Sequence, residues 1–425
     1  MMTTTKRHVT RLSFAITVVL ALASFGFSQT TITFWTFLNP EDDSPRARVQ
    51  TELVQQFEAE NPDITVNTEV VHWTEIGSQM IQAVAVGRGP DVFRITAPRM
   101  FEEQFEAGTV YPLDEFVAEW PEEERNDWLL PWEMGMYEGQ KMALPIEHRA
   151  VMMWYRADWF VEAGFDVPAT WDEAIETAQF FSDQGQVGYA VGLSSGGAGN
   201  GFLEWFRPVI WAHGGDYLDE DGTAIFDSEE GIQTFQLLYD LVHEHGVIPS
   251  AAVSWDVDDM FQGFRAGRVA MTNWATHRVA EGREALGDAL QLAPIPAVHP
   301  DQPTPTEVSG WHLAISATSN NQAEAFRFIE FMTSTEAQVL NAVEAGEVPS
   351  RVSAYDDPWF SETPEGREMV QWRDRLLETG RLARIPADYT RLHEILVNAA
   401  QRIVLEHAPI ESTLAEAAAE YNGSR

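Results

Sequence analysis

The 425-residue chain contains no cysteine, which excludes disulfides, thiolate metal sites and lipid attachment through a cysteine at a processing site. It has only two lysines, Lys6 and Lys141, and 27 basic residues in all against 66 acidic ones, for a net charge of −39. A surface of that sign repels nucleic acid and anionic lipid, so neither is expected as a partner. Beyond a solvated acidic surface, the imbalance suits high salt, where screening relieves self-repulsion; stability that rises with added salt is the mark of such adaptation. Long apolar runs are also missing. Only Phe14–Phe25 stands out, and it falls short of the roughly 20 residues that a membrane span needs. Lys6, Arg7 and Arg11 precede it, and Gly26 and Ser28 come after it, the pattern of a secretory signal peptide over residues 1–28. That leader holds no acidic residue, so the mature chain is more acidic still. Without a cysteine anchor it is expected to be free in a periplasm.

At 44% hydrophobic and 11% aromatic residues, the chain can build cores, and its length calls for two lobes rather than one. From Thr31 the residues alternate as a strand, with Ile32, Phe34 and Thr36 on one face and Thr33, Trp35 and Phe37 on the other. Ser44-Pro45 opens a helix whose buried stripe is Val49, Leu53 and Phe57, and Asn61-Pro62 ends it. A strand from Asp63 to Val71, a helix around Ile76, Met80 and Val84, and a strand at Asp91–Phe93 complete a β-α-β-α-β run. In such α/β sheets ligands sit at the carboxyl ends of strands. An exported fold of this kind, with Trp35 near the end of its first strand, points to capture of a small molecule outside the cytoplasm.

The phrases Phe57–Val66 and Gly87–Val92 resemble the extracellular solute-binding proteins of ABC importers, and within them the sugar-binding group that includes maltose-binding protein. Later segments match too, so the resemblance covers essentially the whole mature chain. It implies a two-lobed α/β periplasmic-binding-protein fold, type II-like, with three interlobe crossovers acting as a hinge. The first crossover falls at Lys141–Ile146, the second at the strand Val269–Trp274, and the third near Asn320-Asn321. On that reading the N-terminal lobe comprises residues 29–139 and 273–320, and the C-terminal lobe residues 140–272 and 321–425. The implied partners are a carbohydrate and the importer's membrane permease, with the binding protein itself a monomer.

Sugars present flat C–H faces to aromatic rings and hydroxyls to charged or amide groups. The chain has 15 tryptophans, and those at strand ends and crossovers are the stacking candidates. Trp35 leads; Trp274, Gly310 and Trp311 fall where the resemblance places contacts on the returning segment. Trp205 comes after the glycine-rich loop Ser194–Gly201, which lacks both the P-loop ending and a GxGxxG register, and Tyr389 opens a late helix. The polar candidates are Asn39, Glu41 and Asp91 in the first lobe, Glu147, His148 and Arg149 after the first crossover, and Arg351 in the loop Gly346–Arg351. Trp171 reads instead as a packing residue, because Thr170 and Glu173 form a capping box around it. No metal or cofactor is expected: His243 and His245 are two apart on a helix and point to different faces. With no GxSxG, no HExxH and no cysteine nucleophile, catalysis finds little support, although 66 carboxylates do not by number exclude a glycosidase pair. The expected ligand is a neutral mono- to short oligosaccharide. A glycerol phosphate or another polyol-type solute is the alternative, the phosphate disfavoured by the scarcity of arginine and the absence of lysine at the cleft positions.

Overall fold

The computed structural model describes residues 29–97, 100–386 and 388–423; the segment 1–28, read from the sequence as a signal peptide, lies outside them. Strand β1 (Thr30–Thr36) pairs in parallel with β2 (Ile64–Val70), from Thr30 opposite Ile64 to Thr36 opposite Val70, and with β3 (Val92–Ala97). Its alternation is the one read from the sequence: Ile32, Phe34 and Thr36 are buried and Thr33 and Trp35 only partly so. The helix Pro45–Glu60 covers this sheet. Ser44 Oγ accepts from Ala47 N at its start, and Asn61 Nδ2 donates 2.8 Å to Phe57 O at its end, supplying the terminal hydrogen bonds that a helix cannot make internally. Val49, Leu53 and Phe57 turn inward, and Phe57 meets Phe328 edge-on at 5.1 Å.

A second sheet forms around β4 (Arg149–Arg156), with β5 (Val187–Ala190), β6 (Val269–Ala275) and β7 (Leu290–Ala293). Strands β6 and β7 both run antiparallel to β4, and β6 also pairs in parallel with β5. Joining the two sheets is the eleven-residue strand β8 (Thr306–Ser316). Its beginning pairs with β4, Val308 opposite Ala150, while its remainder pairs with β3, from Gly310 opposite Ala97 to Ile315 opposite Val92. The strand order is therefore β2-β1-β3-β8-β4-β6-β5. At the crossing the chains run side by side: Ile146 N donates to Trp311 O at 3.0 Å and His148 N to Val348 O at 2.9 Å. A Cβ on Gly310 would lie 2.2 Å from Glu147 O, so only glycine permits this approach.

Two crossovers differ from the sequence reading. Val269–Trp274 does not return to the first sheet; among the described residues β6 pairs with β4 and β5, and β8 makes the return. A strand buried along its whole length carries no mark of which sheet receives it. The third crossing does not fall at Asn320-Asn321 either. The helix Gln322–Met332 buries Phe328 and Ile329 in the same core as Phe34 and Phe57, and the chain leaves that core only near Val348. The capping box at Thr170 and Glu173 is present, with Trp171 buried beneath it. Among the described residues no helix is long and apolar enough to cross a membrane.

Candidate ligand-binding cleft

Between the two sheets lies a cavity of roughly 240 Å³. The first-lobe wall is built from residues just past the carboxyl ends of the parallel strands: Phe37 and Leu38 after β1 and Trp73 after β2, with Arg46 from the first turn of the helix behind them. Trp311 of β8 forms the floor with Arg149, the first residue of β4. The opposite wall comes from Asn200 and Glu204 on the helix Asn200–Ala212, Val257 and Asp258 on the helix Val257–Arg265, and Trp274, His277, Arg278 and Glu281 at and after the end of β6. A smaller compartment of roughly 60 Å³ shares Trp73, Arg149, Asn200, Glu204 and Trp311 and adds Arg207, Glu307, Ser309 and Tyr389.

The aromatic surfaces are braced from behind. Phe37 packs at 4.8 Å from Trp311, and Trp274 at 5.3 Å from Phe261. Rings held by packing stack on a ligand without losing further side-chain freedom. The charges are mostly paired: Arg46 Nε to Glu347 Oε1 at 2.5 Å, Arg149 Nε to Glu147 Oε1 at 3.1 Å, Arg207 Nε to Glu307 Oε2 at 2.7 Å, and Arg278 to Asp258 at 2.6 Å and Glu281 at 3.1 Å. Glu204 differs. Burial, reinforced by the charge of Glu307, pushes its carboxyl up to about 8, so at neutral pH it is chiefly the uncharged acid and has a proton to donate. Its Oε2 accepts from Ala275 N at 3.2 Å.

Of the residues singled out in the sequence, Arg149, Trp274 and Trp311 line the main cavity and Tyr389 the smaller one, where its hydroxyl accepts from Arg207 at 3.3 Å. Glu147 is fully buried one layer behind, accepting from Trp311 N at 2.9 Å and holding Arg149. The others lie elsewhere. Trp35 donates 2.8 Å to Glu69 across the strand pair, and Phe37, two residues on and on the same face, reaches the cavity in its place. Asn39 caps a turn, accepting from Glu41 N at 3.1 Å, and Glu41 is exposed. Asp91 stands at the amino end of β3, the wrong end of the sheet for a ligand, and clips Thr33 N at 2.9 Å and Ser319 Oγ at 2.6 Å. His148 is buried at the crossing, where desolvation drives its pKa down to about 3. Trp205 is in the second core, because Asn200, Glu204 and Arg207 occupy the cleft face of its helix. Gly310 is the steric relief at the crossing. Arg351 is held by Glu124 at 2.5 Å and Thr333 O at 2.6 Å, far from the cavity walls.

Sequence reasoning passed over Phe37, Arg46, Trp73, Asn200, Glu204, Arg278 and Glu307. The signal for Phe37 was present in the alternation that selected Trp35, and the i, i+4, i+7 spacing of Asn200, Glu204 and Arg207 marks one helix face. Nothing local distinguishes Arg46 or Trp73.

Among curated proteins the chain is similar to the arabinooligosaccharide-binding protein of Halalkalibacterium halodurans, 23% identical, with 78% of this chain and 74% of that one covered. It is similar to the mannitol-binding protein of Pseudomonas aeruginosa as well, 25% identical over 75% and 74% of the two chains. Among solved structures, the maltose-bound MalE3 of T. maritima superposes with a TM-score of 0.81 at 22% identity, covering 93% of this chain and all of that one, which establishes the two-lobed fold. The family model of the bacterial extracellular solute-binding proteins matches residues 44–339, more than half of the sequence, and the chain belongs to that family.

Proposed function

We propose that this protein captures a carbohydrate of one to a few sugar units between its lobes in the periplasm and delivers it, as a monomer, to the permease of an ABC importer. The observation that carries the reading is the convergence of Phe37, Trp73, Trp274 and Trp311 from both lobes on one cavity bordered by hydrogen-bonding side chains. Flat apolar rings with polar groups at their edges suit the alternating C–H and hydroxyl surface of a sugar. The binding of arabinooligosaccharide and mannitol by relatives supports it. Closure is inherent in the fold: strand β8 and the segments around Ile146 and Val348 are the connections that bend when the lobes approach, and the excluded water strengthens each hydrogen bond to the ligand.

A linear polyol is the second reading, favoured by a cavity of roughly 240 Å³, below the 300–1,000 Å³ common for ligand sites. Thermal unfolding against mono-, di- and trisaccharides, hexitols and glycerol 3-phosphate tests both. A ligand at about 100 times its Kd adds roughly 2.7 kcal/mol of stability. A selective shift with a sugar supports the main reading, one with a hexitol alone the second, and none across the panel removes both. Recovery of the ligand intact distinguishes capture from hydrolysis, which would release reducing sugar.

A further inference from the structure

We propose that the ligand is a carbohydrate bearing one carboxylate, a sugar acid or a short oligosaccharide ending in one, with that carboxylate seated among Arg46, Arg149, His277 and Trp274. The inference rests on the carbohydrate reading and narrows it.

Several donors around the main cavity lack a protein hydrogen-bond partner. Arg46, 7% exposed, spends its Nε on Glu347, yet its Nη2 is buried without a protein hydrogen-bond partner. Arg149 Nη2 lies 3.0 Å from Glu147 Oε1 but makes no aligned hydrogen bond. Trp274 is 1% exposed, and its Nε1, which can only donate, has no partner either. His277 Nδ1, a donor in one tautomer of a ring that burial and the neighbouring charges of Arg149, Arg46 and Arg278 keep neutral, also has no partner. All four residues line the one cavity. The carboxylates around them are already engaged: Glu147 by Trp311 N and Arg149, Glu347 by Arg46, and Asp258 and Glu281 by Arg278. Buried donors without acceptors are costly, and a hydroxyl both donates and accepts, so neutral hydroxyls bring donors of their own into the site. A carboxylate supplies acceptors alone, and its two coplanar oxygens suit guanidinium N–H groups.

The charge balance sets the valence. Arg94 lies behind the cavity; its guanidinium and that of Arg46 sit 5.3 and 5.1 Å from the centroid of Phe37. Burial lowers Arg94 to about 9, which leaves it protonated at neutral pH, with only its Nη2 engaged, 3.0 Å from Gln50 Oε1. Across the cavity Asp258 and Glu281 outnumber Arg278 by one; on this wall Arg46, Arg94 and Arg149 outnumber Glu147 and Glu347 by one. A single carboxylate neutralises that surplus. A phosphate monoester, at about −1.5 to −2, overshoots it and faces Asp258 and Glu281 across the cavity. The sequence reading of a neutral ligand took arginine to be scarce at the cleft positions; folding gathers Arg46, Arg149, Arg207 and Arg278 from separate elements into its lining.

Isothermal titration of the mature chain decides this, with a panel of hexuronates, aldonates and short oligouronides set against the matching neutral sugars and glycerol 3-phosphate. A sugar acid is expected to bind at least about tenfold tighter than its neutral counterpart. In Arg46→Gln the affinity for the acid should fall further than that for the neutral sugar, so that the roughly tenfold advantage disappears. The comparison of ligands on the unaltered chain stands even if the variant does not fold. A neutral sugar bound as tightly as every acid overturns the inference and leaves the carbohydrate reading standing. Tighter binding of the phosphate ester overturns the monoanion argument. Failure of every carbohydrate, charged or neutral, overturns both.

Discussion

The molecule assembles arginine with tryptophan twice, to opposite ends. Around Arg351, Trp128 and Trp120 lie at 4.3 and 5.8 Å from the guanidinium, and Glu124, Asp127 and the carbonyl of Thr333 take up its hydrogen-bonding capacity. At the cleft, Arg149 sits 5.8 Å from the Trp311 ring, and Arg46 lies over Phe37, yet each keeps, beside a cavity, a buried N–H group that makes no aligned hydrogen bond to the protein. Residue types are the same in both places. What separates a structural cross-tie from a binding site is whether the protein satisfies its own donors. A closed network tolerates no guest, and an open one in a water-excluding cavity has affinity to spend on a ligand.

The comparison can be broken from either side. Among the substitutions the largest effect is expected at the closed cluster. Arg351→Ala removes the buried cation that ties Glu124, Asp127 and the Thr333 carbonyl together, although Ser353 still donates to Asp127. It should lower stability by about 3 kcal/mol, read by chemical denaturation, with ligand affinity unchanged once the variant is folded. At the open site the order reverses. Trp73→Ala removes a half-buried ring from the wall of both compartments and should weaken ligand binding by about 2 kcal/mol, roughly thirtyfold, with a smaller cost in stability; equal losses in both measurements would erase the distinction. Asp91→Ala tests a residue chosen by sequence and placed by structure at the far end of the sheet. Loss of its bonds to Thr33 and Ser319 should cost about 1–2 kcal/mol of stability, and titration should find affinity unaltered.

The remaining effect is a slope with pH, spread over several pH units. Glu204 is raised to about 8 in the folded chain, above its value when unfolded, so the native state holds the extra proton between the two. Stability should therefore fall as pH rises from about 5 towards 8 and level off above that. Glu204→Gln should flatten that segment of the curve, measured by thermal melts at fixed ionic strength. An unchanged slope would show that Glu204 is ionised throughout.

Much of the fold was legible because it is written in local signals. The alternation of β1, the Ser44-Pro45 start, the stripe of Val49, Leu53 and Phe57, and the Thr170–Glu173 box each need only a few neighbouring residues. The site was legible in part. Trp274, Trp311, Arg149 and Tyr389 were found through strand ends and crossovers, but Trp35 was preferred to Phe37 because alternation gives a face and not the point at which the strand stops. Asp91 and Arg351 look like cleft residues as letters, and only their partners reveal them as clips.

By itself, then, the sequence determined the elements, the burial pattern along each, the family and the acidic surface, since propensity, periodicity and composition act over short distances. The tertiary structure alone decided that β8 rather than β6 carries the chain back to the first sheet, and which charges meet. Arg46 and Glu347 are distant in the chain and 2.5 Å apart in space; the pairing of strands and the closure of long loops set that distance, and no local pattern encodes it.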